Sequence, residues 1–153
     1  MLFLSYLSVF FLIASLLVHI ITFFGINIAG SFPAILALHL GIFIIGFPSY
    51  FMEPFASSSR SPTGWHNLML PIPQKGKTIL KWYPWYLGLN FIVAVLFTFE
   101  PNETLTQNNE GWAQVFNLHL FSAFWIYFYL FFTLVFWYHN ERKEKIARKK
   151  HHE

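Results

Sequence analysis

Long runs of apolar residues, separated by short polar connections, dominate the hydropathy pattern of this chain. Four windows are mostly apolar and approach the length of about 20 residues that a helix needs to cross the hydrocarbon core of a bilayer. They cover residues 2–24, 32–51, 82–99 and 115–138. The pattern therefore predicts four membrane-spanning segments.

Helix is the structure predicted for these windows, although many of their residues are β-branched or aromatic and favour strands in soluble proteins. Inside a bilayer each segment has to satisfy its own backbone hydrogen bonds, and a helix does so. The alternation typical of a membrane barrel, in segments of about ten residues, is absent. We predict an all-α fold, an integral membrane antiparallel four-helix bundle of residues 1–138 with a basic tail of residues 139–153.

Basic residues predict the orientation of this bundle. All ten Lys and Arg flank the apolar windows, in the connection before the third window and after the fourth. They are Arg60, Lys75, Lys77, Lys81, Arg142, Lys143, Lys145, Arg148, Lys149 and Lys150. Because basic loops stay in the cytoplasm, both termini are predicted to be cytoplasmic. A bacterial inner membrane is favoured, and a eukaryotic organelle membrane also fits.

Composition excludes several classes of protein. Hydrophobic residues make up 56% of the chain and charged residues only 11%, about half the usual share in a soluble domain. The net charge of +3 comes from the membrane-flanking stretches, so no nucleic-acid partner is expected. The expected partners are the lipid bilayer and other membrane subunits. The chain has no cysteine and therefore no thiol chemistry.

Aromatic residues predict where the spans meet the membrane surface, because rings with a polar tip favour the headgroup level. A cluster of them is predicted to mark the inner end of the third span: Trp82, Tyr83, Trp85 and Tyr86. The preceding connection contains an apolar stretch, residues 65–73, that ends in prolines. Its Trp65, Leu68 and Leu70 are expected to lie in the interface or to dock beneath the bundle.

Three histidines fall inside the predicted spans. His19, His39 and His119 are each predicted to lie roughly 7–11 Å below the outer boundary, at 1.5 Å of rise per residue. His19 shares a helical stripe with Ser5, Ser8 and Ser15, and His119 begins a stripe with Ser122, Tyr129 and Thr133. The stripes are expected to face inward. His39 need not point where His19 points.

Two interpretations of these histidines follow. His19 and His119 could ligate a b-type haem, or all three rings could hold a transition metal such as zinc or copper. The alternative is structural: each ring makes a hydrogen bond between helices, as polar residues inside membranes commonly do. The sequence favours the structural interpretation, with cofactor binding kept as the hypothesis to test.

Motifs for hydrolysis, phosphoryl transfer or dinucleotide binding are absent from the sequence. There is no Asp, and no predicted span contains a Glu, Lys or Arg, which proton-coupled transporters usually carry. We therefore expect a non-catalytic membrane protein, an accessory or structural subunit of a complex. The alternative is an electron-transfer protein that binds haem or metal.

Short motifs in three of the four windows resemble a loose group of small four-span bacterial membrane proteins of unknown role. They are residues 38–43, Pro84-Trp85 with Asn90-Phe91, and residues 121–125. That group carries Gly-His where this chain has Ala123 and Phe124. The resemblance implies the four-span topology and no particular activity.

Overall fold

The computed structural model describes residues 2–26, 28, 32–51, 55, 64–98 and 106–150, and the regular elements in these residues are helices. There are four longer helices and one short one in the described part of the chain: α1 Leu2–Phe23, α2 Phe32–Phe51, α3 Gly64–Met69, α4 Gln74–Thr98 and α5 Thr106–Lys150. The predicted all-α fold is confirmed.

Three segments of the described chain are long and apolar enough to cross a membrane: Leu2–Phe23, Gln74–Leu96 and Val115–Lys150. The predicted second span coincides with α2, whose apolar stretch Ile35–Phe51 is shorter than the other three. These lengths and compositions indicate an integral membrane protein.

Two helices extend beyond the windows that the apolar pattern predicts. α4 begins at Gln74 rather than at residue 82, and α5 continues to Lys150 instead of ending near residue 138. A helix need not end where the bilayer ends, because its backbone hydrogen bonds are made within the segment itself. Along the exposed end of α5, Glu141 pairs with Lys145 at 2.8 Å, one turn apart. Such pairs support a helix weakly.

α5 is the central helix, because α1, α2 and α4 each pack against it. Its inward side supplies most of the main buried cluster, with contributions from α1 and α2: Leu4, Leu38, Ile45, Leu118, Trp125, Tyr129, Phe132 and Phe136. The predicted serine stripe of α1 does face inward. Ser5, Ser8 and Ser15 are at most 1% exposed.

Gly41 allows α2 to approach α5 and α1 closely. A Cβ atom at this position would lie 2.5 Å from the Tyr129 hydroxyl oxygen and 2.9 Å from the Phe11 ring. The same Tyr129 hydroxyl donates a hydrogen bond to the Leu38 carbonyl, one turn away on α2. The glycine therefore leaves room for the tyrosine that joins the two helices.

The connection before α4 packs against the bundle, which is one of the two positions that the sequence left open. Leu68 and Ile72 are 2% and 1% exposed, and they form a second buried cluster with Leu80 and Val135. The His139 ring on α5 also contacts the connection, with Nε2 donating to the Leu68 carbonyl at 3.0 Å. Of the other two residues predicted here, Leu70 is 50% exposed and the Trp65 side chain lies outside the described residues.

Candidate functional site

His19 of α1 and His119 of α5 lie side by side. Their ring centroids are 3.9 Å apart and their planes differ by 20°, so the two imidazoles stack face to face. α1 and α5 run antiparallel, because further along the pair Thr133 donates to the Ser8 hydroxyl at 3.0 Å. This antiparallel packing brings together two histidines from opposite ends of the sequence, as their predicted depth implies.

A third helix closes the cluster through Tyr86 of α4. Its hydroxyl oxygen lies 2.6 Å from His19 Nε2 and 3.5 Å from His119 Nε2. On the other side of the His19 ring, Nδ1 lies 2.8 Å from the Ser122 hydroxyl. The two histidines, Tyr86 and Ser122 therefore tie α1, α4 and α5 together at one level of the bundle.

The hydrogen-bond partners assign the tautomer of His19. Ser122 donates its only hydroxyl proton to the His119 carbonyl at 2.8 Å, so its oxygen accepts from His19 Nδ1–H. The two rings are not both charged, because two like charges 3.9 Å apart repel strongly, and the bonds described here are those of two neutral rings. The Nε2 atom of a neutral His19 is then an acceptor, and Tyr86 donates to it.

The same reasoning extends to His119. Because the Tyr86 proton is directed to His19, the Tyr86 oxygen accepts from His119 Nε2–H, over the longer distance of 3.5 Å. His119 Nδ1 is then an acceptor and lies 3.3 Å from the Thr22 hydroxyl. That hydroxyl is also within reach of the Val18 and His19 carbonyls, at 3.0 and 2.9 Å. It serves one acceptor at a time, so His119 is the more loosely held ring.

His39 does not join the pair. Its Nδ1 donates to the Ile35 carbonyl of its own helix at 3.1 Å. Its ring packs edge-on against Trp125, with centroids 4.7 Å apart, and also contacts Phe121. The similar depth that we predict for three histidines therefore yields one pair and one separate ring.

Tyr86 is the residue of the site that sequence reasoning missed. The aromatic pattern predicts it as a marker of the inner membrane interface, and this is wrong for its hydroxyl, which contacts the histidine pair. α4 begins at Gln74 and ends at Thr98, so Tyr86 lies in the middle of the helix rather than near its start. No sequence signal distinguishes it from the neighbouring Tyr83.

The stacked pair does not provide the geometry of a haem site. A haem with two axial imidazoles lies between their rings, whereas these rings are already at van der Waals distance, 3.9 Å. For a metal, the described residues contain no group of three or more His, Cys, Asp or Glu side chains that could hold an ion. Either ligand would require His19 and His119 to separate and to give up their present partners.

A cavity of about 230 Å³ adjoins the pair. Its lining is mostly apolar, with polar groups supplied by Thr22, Asn90 and His119. The Asn90 side chain is held by its own helix, because its amide nitrogen donates to the Tyr86 carbonyl at 2.8 Å. The cavity therefore adjoins the hydrogen-bonded cluster at His119, which is the more loosely held ring.

Comparison with known proteins adds no identity. No family model, curated protein or solved structure matches this chain. The resemblance to small four-span bacterial membrane proteins therefore stays a prediction.

Proposed function

We propose that this chain is a non-catalytic integral membrane protein that crosses the bilayer four times with both termini in the cytoplasm, and that it is an accessory or structural subunit of a membrane complex. The observation that carries the proposal is the engagement of His19 and His119. Each of their four ring nitrogens lies within hydrogen-bond distance of a side chain, and the partners come from α1, α4 and α5.

Polar side chains inside a membrane that bond across helices stabilise the packing, and here each nitrogen of the pair has a side-chain partner within reach. The same engagement weakens the alternative of electron transfer through haem or metal, since ligation would cost these bonds. We therefore assign the cluster a structural role.

The orientation is supported by which parts of the chain lie together. At one end of the bundle, His139 of α5 contacts Leu68 of α3, and Lys77 at the start of α4 donates to the nearby Leu70 carbonyl. At the same end, Leu2 of α1 lines a cavity with Asn140 of α5. The N-terminal helix end and both basic stretches thus share one side, which the positive-inside rule assigns to the cytoplasm.

The role as a subunit is supported by the outer face of α2. Phe43, Phe47 and Phe51 are spaced one turn apart and are 66–70% exposed. Flat aromatic rows of this kind pack well against another helix, and lipid also tolerates them. We propose that this row is the contact surface for a neighbouring subunit.

Topology can be tested with single cysteines, because the native chain has none. Asn108→Cys and Arg148→Cys are to be labelled in spheroplasts with a membrane-impermeant maleimide. We expect Asn108→Cys to react in intact spheroplasts and Arg148→Cys only after permeabilisation. Labelling of both before permeabilisation would contradict a cytoplasmic C-terminus.

The structural role of the histidines is tested by the optical spectrum of the purified protein, oxidised and reduced, together with its metal content. We expect no Soret band and no stoichiometric metal. A Soret band that disappears in His19→Leu but persists in His39→Leu would replace the structural assignment with a haem site.

Subunit status is tested by photocrosslinking in the native membrane. A photoreactive residue at position 47 is expected to give one discrete protein adduct, whereas the same residue at position 10, on the exposed face of α1, is expected to give lipid adducts. Lipid adducts at both positions would contradict a subunit contact through α2.

A further inference from the structure

A second cavity lies at the opposite end of the α1 and α5 pair from the histidines. It measures about 200 Å³ and is lined by Ser5 and Tyr6 of α1 and by Trp137, Asn140, Glu141 and Glu144 of α5, together with Leu2. Here the apolar part of α5 gives way to its charged end. In a membrane-spanning helix this is the level of the lipid headgroups.

Two of the residues that line this cavity each have a buried side-chain atom that lacks a hydrogen bond among the described residues. Among the described residues, three buried side-chain nitrogen or oxygen atoms lack a hydrogen bond, and two of them are Ser5 Oγ and Asn140 Nδ2. Ser5 is only 1% exposed. Leaving such groups unpaired is costly, so their concentration at one cavity points to a ligand that completes their bonds.

The lining also defines the charge of that ligand. Glu141 and Glu144 contribute two carboxylates, which attract a cation and accept hydrogen bonds from it. Their present partners are exposed residues of the same helix, Lys145 at 2.8 Å and Arg148 at 3.8 Å. Exposed pairs of this kind are weak and exchange readily.

The Asn140 amide nitrogen is a donor, so it requires an acceptor rather than a cation. A ligand that satisfies the whole lining therefore has an ammonium with N–H donors for the carboxylates and Ser5, and an anionic oxygen for Asn140. Lys145 and Arg148, once released from the carboxylates, add positive charge beside that anion. A cavity of this volume accommodates a headgroup rather than a complete drug-sized ligand.

We propose that this cavity binds the headgroup of a phospholipid that carries a primary ammonium, phosphatidylethanolamine being the simplest. The ammonium lies against Glu141, Glu144 and Ser5, and the phosphate accepts from Asn140. Tyr6 and Trp137 add ring faces for the cation. This inference requires α1 and α5 to lie in a membrane, but not the number of crossings or the role of the histidines.

Choline lipids provide the matched comparison. Phosphatidylcholine has the same net charge and the same phosphate, but its quaternary ammonium has no N–H donor. The aromatic rings alone would accept it, whereas the carboxylates and the Ser5 hydroxyl favour the ammonium. Selectivity between the two lipids therefore measures the hydrogen bonds of this cavity and not its general attraction for zwitterions.

The test is native mass spectrometry of the full chain in detergent, titrated separately with dioleoyl-phosphatidylethanolamine, its N-monomethyl and N,N-dimethyl derivatives, and dioleoyl-phosphatidylcholine. We expect affinity to fall stepwise with methylation, to a total of about tenfold, because each methyl group replaces a charge-assisted hydrogen-bond donor. Equal binding of the first and last lipids would overturn the proposal.

Variants locate the site. Glu141→Gln with Glu144→Gln is expected to abolish the preference for the ethanolamine lipid. Glu110→Gln makes the same change near the other end of α5, roughly 45 Å away at 1.5 Å per residue, and is expected to keep the preference. A preference that survives the double substitution would place the lipid elsewhere and overturn the assignment.

Ser5→Ala is a second test, in case the double glutamate variant loses binding because it unfolds. It removes a hydroxyl that has no partner in the described residues, so the fold does not depend on it, and it is expected to weaken ethanolamine-lipid binding without changing helix content. Soluble O-phosphoethanolamine distinguishes a lipid from a free amine. If it bound as tightly as the lipid, a soluble metabolite would be the ligand and the lipid assignment would be wrong.

Discussion

At one end of the α1 and α5 pair, four ring nitrogens of His19 and His119 lie within hydrogen-bond distance of partners supplied by three helices. At the other end, Ser5 and Asn140 have buried polar atoms without a partner among the described residues, beside a cavity lined by two carboxylates. Both ends use the same two helices and similar polar side chains.

The two ends differ in whether their polar side chains have hydrogen-bond partners. Where polar groups bond each other inside a membrane, they hold helices together and have little left for a ligand. Where they are buried but incomplete, they can gain hydrogen bonds from an added molecule. Histidines inside a predicted span suggest a ligand site, but here Ser5 and Asn140 are the better indication of one.

The largest expected effect is the loss of His19. Replacement by leucine removes its bonds to Ser122 and Tyr86 and its stacking on His119, and we expect it to lower the free energy of unfolding by about 1–3 kcal/mol. His39→Leu is the control, because within the described residues that ring hydrogen-bonds only its own helix, at Ile35. Its cost should be at most about 1 kcal/mol. Titration of detergent micelles with sodium dodecyl sulfate, followed by circular dichroism, measures both. Equal costs would show that the pair does not join the helices.

A smaller effect is expected for the tyrosine hydroxyl. Tyr86→Phe removes the donor to His19 Nε2 and should cost about 0.5–1.5 kcal/mol in the same titration. Tyr6→Phe, at the other end, changes an exposed side chain and should stay within about 0.5 kcal/mol. Because Tyr86 and His19 share a hydrogen bond, the double variant should lose less free energy of unfolding than the sum of the losses in the two single variants. Simple additivity would argue against the assigned hydrogen bond.

The smallest expected changes in the free energy of unfolding distinguish Ser122 from Ser5. Ser122→Ala removes a hydroxyl that both accepts from His19 and donates to the His119 carbonyl, at an expected cost of about 0.5–1 kcal/mol. Ser5→Ala removes an equally buried hydroxyl without a partner, and the free energy of unfolding should stay unchanged or rise slightly. If Ser5→Ala lowered the free energy of unfolding as much as Ser122→Ala does, the proposed difference between the two ends would be wrong.

The sequence predicts the helices well because hydrophobic length and periodicity are local properties. It also predicts a similar depth and inward-facing stripes for His19 and His119, since helix direction and depth follow from the apolar windows. It cannot predict that Tyr86 joins them, because the start of α4 at Gln74 depends on residues outside the apolar window. Nor does it predict the cavity at Ser5 and Asn140, since a missing partner is a property of packing alone.

One further consequence follows from the length of α5. Its 45 residues form a single helix, about 68 Å long at 1.5 Å per residue. His119 and Ser122 lie on the same continuous helix as Glu141, Glu144 and the basic residues beyond them. A displacement of the charged end of α5 is carried along the same helix to the face that contacts α1 and α4. The histidine stack and the cavity at Ser5 are thus joined by one unbroken helix, with no loop between them to absorb a change at either end.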